Sequence, residues 1–101
     1  MADHVVGIAW YFPDEWLELR SSARDPDVLE ATYEQWLEVY RDGVERLRAT
    51  GMRPRRVAIH VKELLAWCDR HRRGPDAAAR AAYAAEALER ATHDGIQLPD
   101  A

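Results

Sequence analysis

Cys68 and His71 are residue types capable of nucleophilic chemistry, and they stand three residues apart in the segment LLAWCDRH. A helix would place the thiol and the imidazole on one face. Such a pair is nucleophilic when a cation or base favours the thiolate and a third group orients the base, and spacing alone supplies neither. Because Cys68 also follows Trp67 on an apolar stripe, we interpret it as a core residue.

His60, Cys68 and His71 together offer three metal-binding donors, but no C-x-x-C or H-E-x-x-H spacing accompanies them. Asp14 and Glu15 are adjacent at a predicted helix start, so they do not form the converging carboxylate pair that acid–base catalysis needs. The sequence also lacks the G-x-G-x-x-G, P-loop and G-x-S-x-G motifs. We therefore predict no metal and no cofactor, and keep an enzyme of unknown chemistry only as an alternative.

Aromatic side chains concentrate near the end of the first predicted strand and in the helices that follow it. If the strands are parallel, that end is where open α/β layers place ligand crevices. The alternative is that these rings are core anchors that compensate for the 17 alanines of the chain. The candidate ligand contacts, which include polar side chains expected nearby, are Trp10, Tyr11, Asp14, Trp16, Tyr33, Arg56 and His60.

Positive charge is gathered in residues 46–73, which hold nine Lys or Arg and two acids, whereas the whole chain has a net charge of −4. Such a segment indicates either a polyanion-binding surface or neutralisation by the protein's own acids. An acidic stripe (Glu34, Glu38, Asp42 and Glu45) is predicted on the second helix, with Asp42–Arg46 as its well-spaced opposite pair. We expect the stripe to face the basic segment, within the chain or across a dimer. A phosphate or nucleic-acid patch and an acidic protein partner are the less favoured interpretations of this segment.

Local patterns predict the first half of the chain. Residues His4 to Phe12 are apolar on both faces and read as a covered strand, which Pro13 ends. A short helix is predicted from Trp16 to about Ala23. Thr32 and Gln35 have capping-box spacing and open a long amphipathic helix, which stops near Thr50 because Gly51 follows.

The second half is predicted to repeat this order. Residues Arg56 to Val61 alternate between apolar and polar, as a half-buried strand does. A third helix is expected from Glu63 to about Arg72, and Gly74-Pro75-Asp76 separates it from a fourth that ends near His93. Residues 1–95 are predicted to form one domain, followed by a loose tail at 96–101.

The predicted order is β-α-α-β-α-α, an α+β fold. About forty residues separate the strands, enough for a helical crossover, so a small parallel two-stranded sheet covered by helices is expected. Two strands alone are marginal, and the first is too apolar for an open edge. We therefore expect a two-fold homodimer in which the first strands, or the strand–helix layers, pair across the axis. The single cysteine and the absence of an apolar leader or membrane span favour a cytoplasmic protein.

The segments VGIAWY, TYEQWL, LLAWC and DAAAR form a combination that resembles small bacterial proteins of uncharacterised function. The resemblance spans residues 5 to about 85. It implies a bacterial cytosolic domain and brings no activity with it. Together with the composition, it favours a binding or interaction module.

Overall fold

The computed structural model describes residues 4–101. Its strands are β1 (His4–Trp10) and β2 (Met52–Ala58), and its helices are α1 (Trp16–Ser22), α2 (Tyr33–Ala49), α3 (Val61–Arg70) and α4 (Ala77–His93). Short 3-10 turns at Pro13–Glu15 and Pro26–Val28 precede α1 and α2. The predicted α+β fold with the order β-α-α-β-α-α and a parallel pair of strands is confirmed.

The two strands form the middle of three layers. They pair in parallel from His4–Met52 to Trp10–Ala58. The α2 helix packs on the sheet face that carries Trp10, and α4 packs on the opposite face at Gly7. A Cβ atom on Gly7 would lie 3.1 Å from the main-chain oxygen of Ala84, so the glycine permits the close approach of α4.

The second strand lies earlier than predicted. It runs over Met52–Ala58, not from Arg56 to Val61, and it contains Pro54. The Arg56 amide donates to the Pro99 oxygen (2.8 Å), so this strand position faces away from β1. Pro54 stands two residues earlier and faces the same way. Its missing N–H therefore removes no bond to β1, and the proline is tolerated.

The C-terminal residues are not the loose tail that we expected. The Ala101 amide donates to the Pro54 oxygen (3.2 Å), and the Arg56 amide donates to the Pro99 oxygen. The Arg55 guanidinium also contacts the Asp100 carboxylate at 2.6 Å. This segment forms an antiparallel bridge with β2 and closes the outer edge of the sheet.

Helix boundaries follow from capping groups. The capping box of α2 is present. The main-chain N–H of Gln35 donates to Thr32 Oγ1 (3.1 Å), and the main-chain N–H of Thr32 donates to Gln35 Oε1 (3.3 Å). Gly51 follows α2 with a φ of 89°. The third helix begins at Val61, two residues before the predicted start, because the Glu15 carboxylate accepts from the Val61 amide (2.8 Å).

A buried ion pair fixes α4 to the loop that follows α1. The Arg80 side chain is 7% exposed and reaches Asp25 through two hydrogen bonds, of 3.0 and 3.4 Å. Asp25 also accepts from the Ala77 amide at the start of α4 (2.8 Å). Burial acts to raise the pKa of Asp25, but the bonds from Arg80 and Ala77 outweigh it and lower the pKa.

We expect Asp25→Ala to lower the free energy of unfolding by about 3 kcal/mol at neutral pH, because it leaves the Arg80 charge buried without its partner. The exposed neighbour Asp27 provides the control, since Asp27→Ala should change stability little. The lowered pKa of Asp25 means that its contribution is complete above the ordinary value of 3.8 and is lost as the pH falls through the folded-state value. Urea unfolding of both variants at acidic and neutral pH measures the change in the free energy of unfolding. An equal decrease in Asp25→Ala and Asp27→Ala at neutral pH would contradict the prediction.

Candidate functional site

Six aromatic rings pack as one cluster between the sheet, α1 and α2. Neighbouring ring centroids lie between 5.0 and 5.9 Å apart. Four of the rings are buried, and burial raises the pKa of Tyr11 to about 12 although the Arg80 guanidinium opposes the shift. These geometries are those of a packed core. The six residues are Trp10, Tyr11, Trp16, Tyr33, Trp36 and Tyr40.

The seven candidate residues from the sequence do not converge on one site. Tyr11 and Trp16 are buried in the core, and Tyr33 donates its hydroxyl to the Tyr11 main-chain oxygen (2.7 Å). Asp14 is exposed at the turn before α1, and His60 stacks on the Phe12 ring at 4.7 Å. The remaining two are together: the Arg56 guanidinium carbon lies 4.0 Å from the centroid of the Trp10 ring.

Trp10 and Arg56 line a cavity of about 380 Å³ between α2 and β2, which we call the Trp10–Arg56 cavity. Its apolar wall includes Leu37 and Val44 of α2. At its rim, Arg48 donates to the Ala101 main-chain oxygen (2.7 Å) and lies 3.6 Å from the Glu45 carboxylate. The other residues that line it are Tyr40, Arg41, Glu45 and Ala101.

Two polar atoms at this cavity are buried without a hydrogen-bond partner among the described residues. They are Nε of Arg56 and the hydroxyl oxygen of Tyr40. A buried donor left unpaired costs about 1–3 kcal/mol, and such atoms are uncommon in folded proteins. Sequence reasoning named Trp10 and Arg56 but missed Tyr40, whose position one turn after Trp36 marked it only as a core residue.

A groove between α3 and α4 has a volume of about 320 Å³, and three of its polar groups pair with each other. Trp67 Nε1 donates to the Glu86 carboxylate (2.7 Å), and Arg90 contacts the same carboxylate at 3.0 Å. The Trp10–Arg56 cavity differs in that its central cation has no carboxylate partner among residues 4–101. It is therefore the stronger candidate for a ligand.

The other edge of the sheet, along β1, is open. The Trp10 main-chain oxygen accepts from the Ile59 amide (2.9 Å), so Trp10 faces β2. Because main-chain direction alternates along a strand, the peptide groups of Val5, Gly7 and Ala9 point to the opposite edge. In residues 4–101, β1 has β2 as its sole partner strand.

An apolar groove of about 270 Å³ runs beside this edge, between β1 and α2, and we call it the β1 groove. Ile8 and Ala9 form its strand side, and Val39 and Gly43 contribute to its helix side. Val5 is 45% exposed and Val39 56% exposed, which is high for valine. The edge and the groove together form an uncovered apolar surface.

The acidic stripe and the basic segment do not face each other as expected. Glu45, paired with Arg48, is the member of the stripe that meets a basic side chain at ion-pair distance. Asp42 and Arg46 are exposed, and the predicted pair between them is not formed. Within the chain the expectation holds for Glu45 and not for Glu34, Glu38 and Asp42, which α2 turns to the solvent side; pairing across a dimer stays a prediction.

The basic segment is instead partly covered by other groups of the chain. Arg55 pairs with Asp100 in the C-terminal segment. Arg56 and Arg73 lie over the rings of Trp10 and Trp67, at 4.0 and 5.7 Å from the centroids. Stacking on an aromatic face is a favourable place for a guanidinium, so these side chains have structural roles.

Cys68 and His71 do not form a catalytic pair. Cys68 is 2% exposed, and burial raises the pKa of its thiol, which disfavours the thiolate. His71 donates from Nδ1 to the Trp67 main-chain oxygen (2.8 Å) and stacks on the same residue. The interpretation of Cys68 as a core residue is confirmed. Within the described part of the chain, no three His, Cys, Asp or Glu side chains are grouped to hold a metal ion.

Glu15 links His60 to the start of α3. One of its carboxylate oxygens accepts from the Val61 amide (2.8 Å) and the other lies 2.9 Å from His60 Nδ1. The Val61 bond, followed by the His60 bond, lowers the pKa of Glu15. The same carboxylate raises the pKa of His60 through their hydrogen bond. The pair therefore has a structural role, since it caps a helix from outside.

We expect the His60 ring to titrate above its ordinary value of 6.5, and Glu15→Gln to lower that pKa because the carboxylate is removed. Because the pKa of His60 is raised, its contribution to the free energy of unfolding is complete below pH 6.5. This contribution is lost as the pH rises through the folded-state pKa. Because the pKa of Glu15 is lowered, its contribution to the free energy of unfolding is complete above pH 4.5, its ordinary pKa. The pair contributes most between these two values. NMR titration of His60 measures the shift, and an unchanged pKa in the variant would contradict it.

No protein-family model matches the sequence, and no curated protein or solved structure is significantly similar to it. Among residues 4–101, no helix has the length and apolar character required to cross a membrane. The candidate surfaces are therefore interpreted from their own geometry.

Proposed function

We propose that this protein is an interaction module that assembles as a homodimer through the open edge of β1. The observation that carries the proposal is the unequal treatment of the two sheet edges. The C-terminal segment covers the edge of β2, whereas no other segment of residues 4–101 pairs with the outer edge of β1, which lies beside an apolar groove. A free edge of this kind is a template for another strand.

Within residues 4–101, the β1 edge lacks the charges, prolines and bulges with which proteins block unwanted pairing. Its outward-facing residues are Val5, Gly7 and Ala9, so none of them is charged and none is a proline. The strand also has no bulge against β2. A short uncharged strand that remains open would expose the chain to aggregation. Pairing with a defined partner removes this liability.

A second copy can pair with this edge in the antiparallel sense, with Gly7 at the two-fold axis. Val5 and Ala9 lie at equal distances along the strand on either side of it. Antiparallel pairing about a two-fold axis at Gly7 places Val5 of one copy opposite Ala9 of the other, and Gly7 opposite its counterpart. The result is a four-stranded sheet with the order β2-β1-β1-β2.

The charges beside the groove also match a second copy. Val39 lines the β1 groove, and Asp42 and Arg46 lie next to it on the exposed surface of α2, by helical spacing. A two-fold axis runs the α2 helices of the two copies in opposite directions. Asp42 of one copy then lies toward Arg46 of the other, which supplies the pairing that the single chain leaves unmade. Gly43 adds space for this approach, since a Cβ there would meet nothing within 4 Å.

We expect Val39→Glu to convert the protein to a monomer, because it buries a carboxylate in the apolar contact. Leu17→Glu is the matched control: Leu17 is 77% exposed on α1, so the same charge there should leave the dimer intact. Sedimentation velocity over a concentration series measures both. If the wild-type protein is mostly dimeric at a protein concentration of about 10 µM, the free energy of dissociation is at least about 7 kcal/mol.

The proposal fails if the wild-type protein sediments as a monomer across that series. It also fails if Val39→Glu and Leu17→Glu remain equally dimeric, because the contact would then lie elsewhere. Circular dichroism of both variants checks that the fold is retained.

A further inference from the structure

The geometry points to a binding site for a small organic carboxylate in the Trp10–Arg56 cavity, with the carboxylate on Arg56 and the apolar body against Trp10. The site lies on the β2 flank of α2, whereas the proposed dimer contact lies on the β1 flank. The inference is therefore independent of the oligomeric state.

Charge at the cavity favours an anion. Arg41, Arg48 and Arg56 line it together with one acidic side chain, Glu45, and with Ala101, whose main-chain oxygen accepts from Arg48. Glu45 is already paired with Arg48 at 3.6 Å. The guanidinium of Arg56 lies over Trp10, partly buried, and no carboxylate of residues 4–101 lies within ion-pair distance of it. A half-buried cation without a counter-charge is a natural position for a ligand carboxylate.

Hydrogen-bond donors are present at the same place. Arg56 Nε and the Tyr40 hydroxyl oxygen have no hydrogen-bond partner among residues 4–101, and both atoms are shielded from solvent, so a bound carboxylate must displace the groups that cover them. The Trp10 ring lies next to both, with its centroid 5.0 Å from that of Tyr40 and 4.0 Å from the Arg56 guanidinium carbon. A guanidinium binds a carboxylate with two parallel hydrogen bonds, and a phenol hydroxyl can add a third.

The remaining walls select an apolar ligand body over a bare inorganic anion. Leu37, Val44 and the Trp10 ring provide apolar surface. The volume of about 380 Å³ lies at the lower end of small-molecule sites. A ligand of benzoate size, with a ring or branched chain and one carboxylate, can pair with the Arg56 guanidinium and also cover the Trp10 ring. An inorganic phosphate would satisfy only the charge.

Binding is tested with three probes: benzoate, the neutral benzamide, and inorganic phosphate. The readout is the indole N–H resonance of Trp10 in NMR spectra, assigned with Trp10→Phe. Benzoate should shift this resonance saturably, whereas benzamide and phosphate should bind at least about tenfold more weakly. Equal binding of benzamide would overturn the role of Arg56, and equal binding of phosphate would overturn the role of the apolar wall. A shift that does not saturate with benzoate would overturn the site.

Two substitutions separate the site from the fold. Arg56→Gln should weaken benzoate binding about tenfold, because the charge-assisted bonds are lost. Tyr40→Phe removes a hydroxyl that has no partner among residues 4–101, so it should preserve stability and still weaken benzoate binding several-fold. Arg70→Gln on the exposed side of α3 is the charge-matched control and should bind as the wild type does. Unchanged affinity in both Arg56→Gln and Tyr40→Phe would contradict the proposed contacts.

Discussion

The main-chain groups at the two edges of a two-stranded sheet are the constraint on which the rest of this structure depends. Each strand has one partner, so each leaves half of its peptide groups facing outward. At the edge of β2, the C-terminal segment bonds to the outward-facing main-chain groups and is held there by the Arg55–Asp100 ion pair. The chain supplies no such cover for β1 within residues 4–101. The proposed dimer completes for β1 what the C-terminal segment does for β2.

The helix α2 organises both candidate surfaces. Its buried ridge, which includes Trp36, Tyr40 and Val44, rests on the sheet and separates two flanks. The flank toward β1 carries the apolar groove, and the flank toward β2 carries the Trp10–Arg56 cavity. The aromatic cluster is thus the scaffold that holds the two surfaces apart, which explains why so many of its rings are core residues. A dimer formed on one flank leaves the other free for a ligand.

Local chemistry made most of the fold predictable from the sequence. Thr32 and Gln35 mark the start of α2, and Gly51 follows its end, because capping and backbone preferences act over a few residues. The position of β2 was not predictable in the same way, since Pro54 argues against a strand until its outward direction is known. The cover provided by residues 98–101 and the stacking of Arg56 on Trp10 depend on contacts between distant segments. No local pattern encodes them.

The most direct measurement of the central claim is amide hydrogen exchange of β1, followed by NMR as a function of protein concentration. Val6, Ile8 and Trp10 direct their amides to β2, whereas Val5, Gly7 and Ala9 direct theirs outward. We expect the outward amides to become as protected as the inward ones once the protein is concentrated enough to pair. Persistent fast exchange of the outward amides at every concentration, beside slow exchange of the inward ones, would show that the β1 edge stays open and would contradict the account.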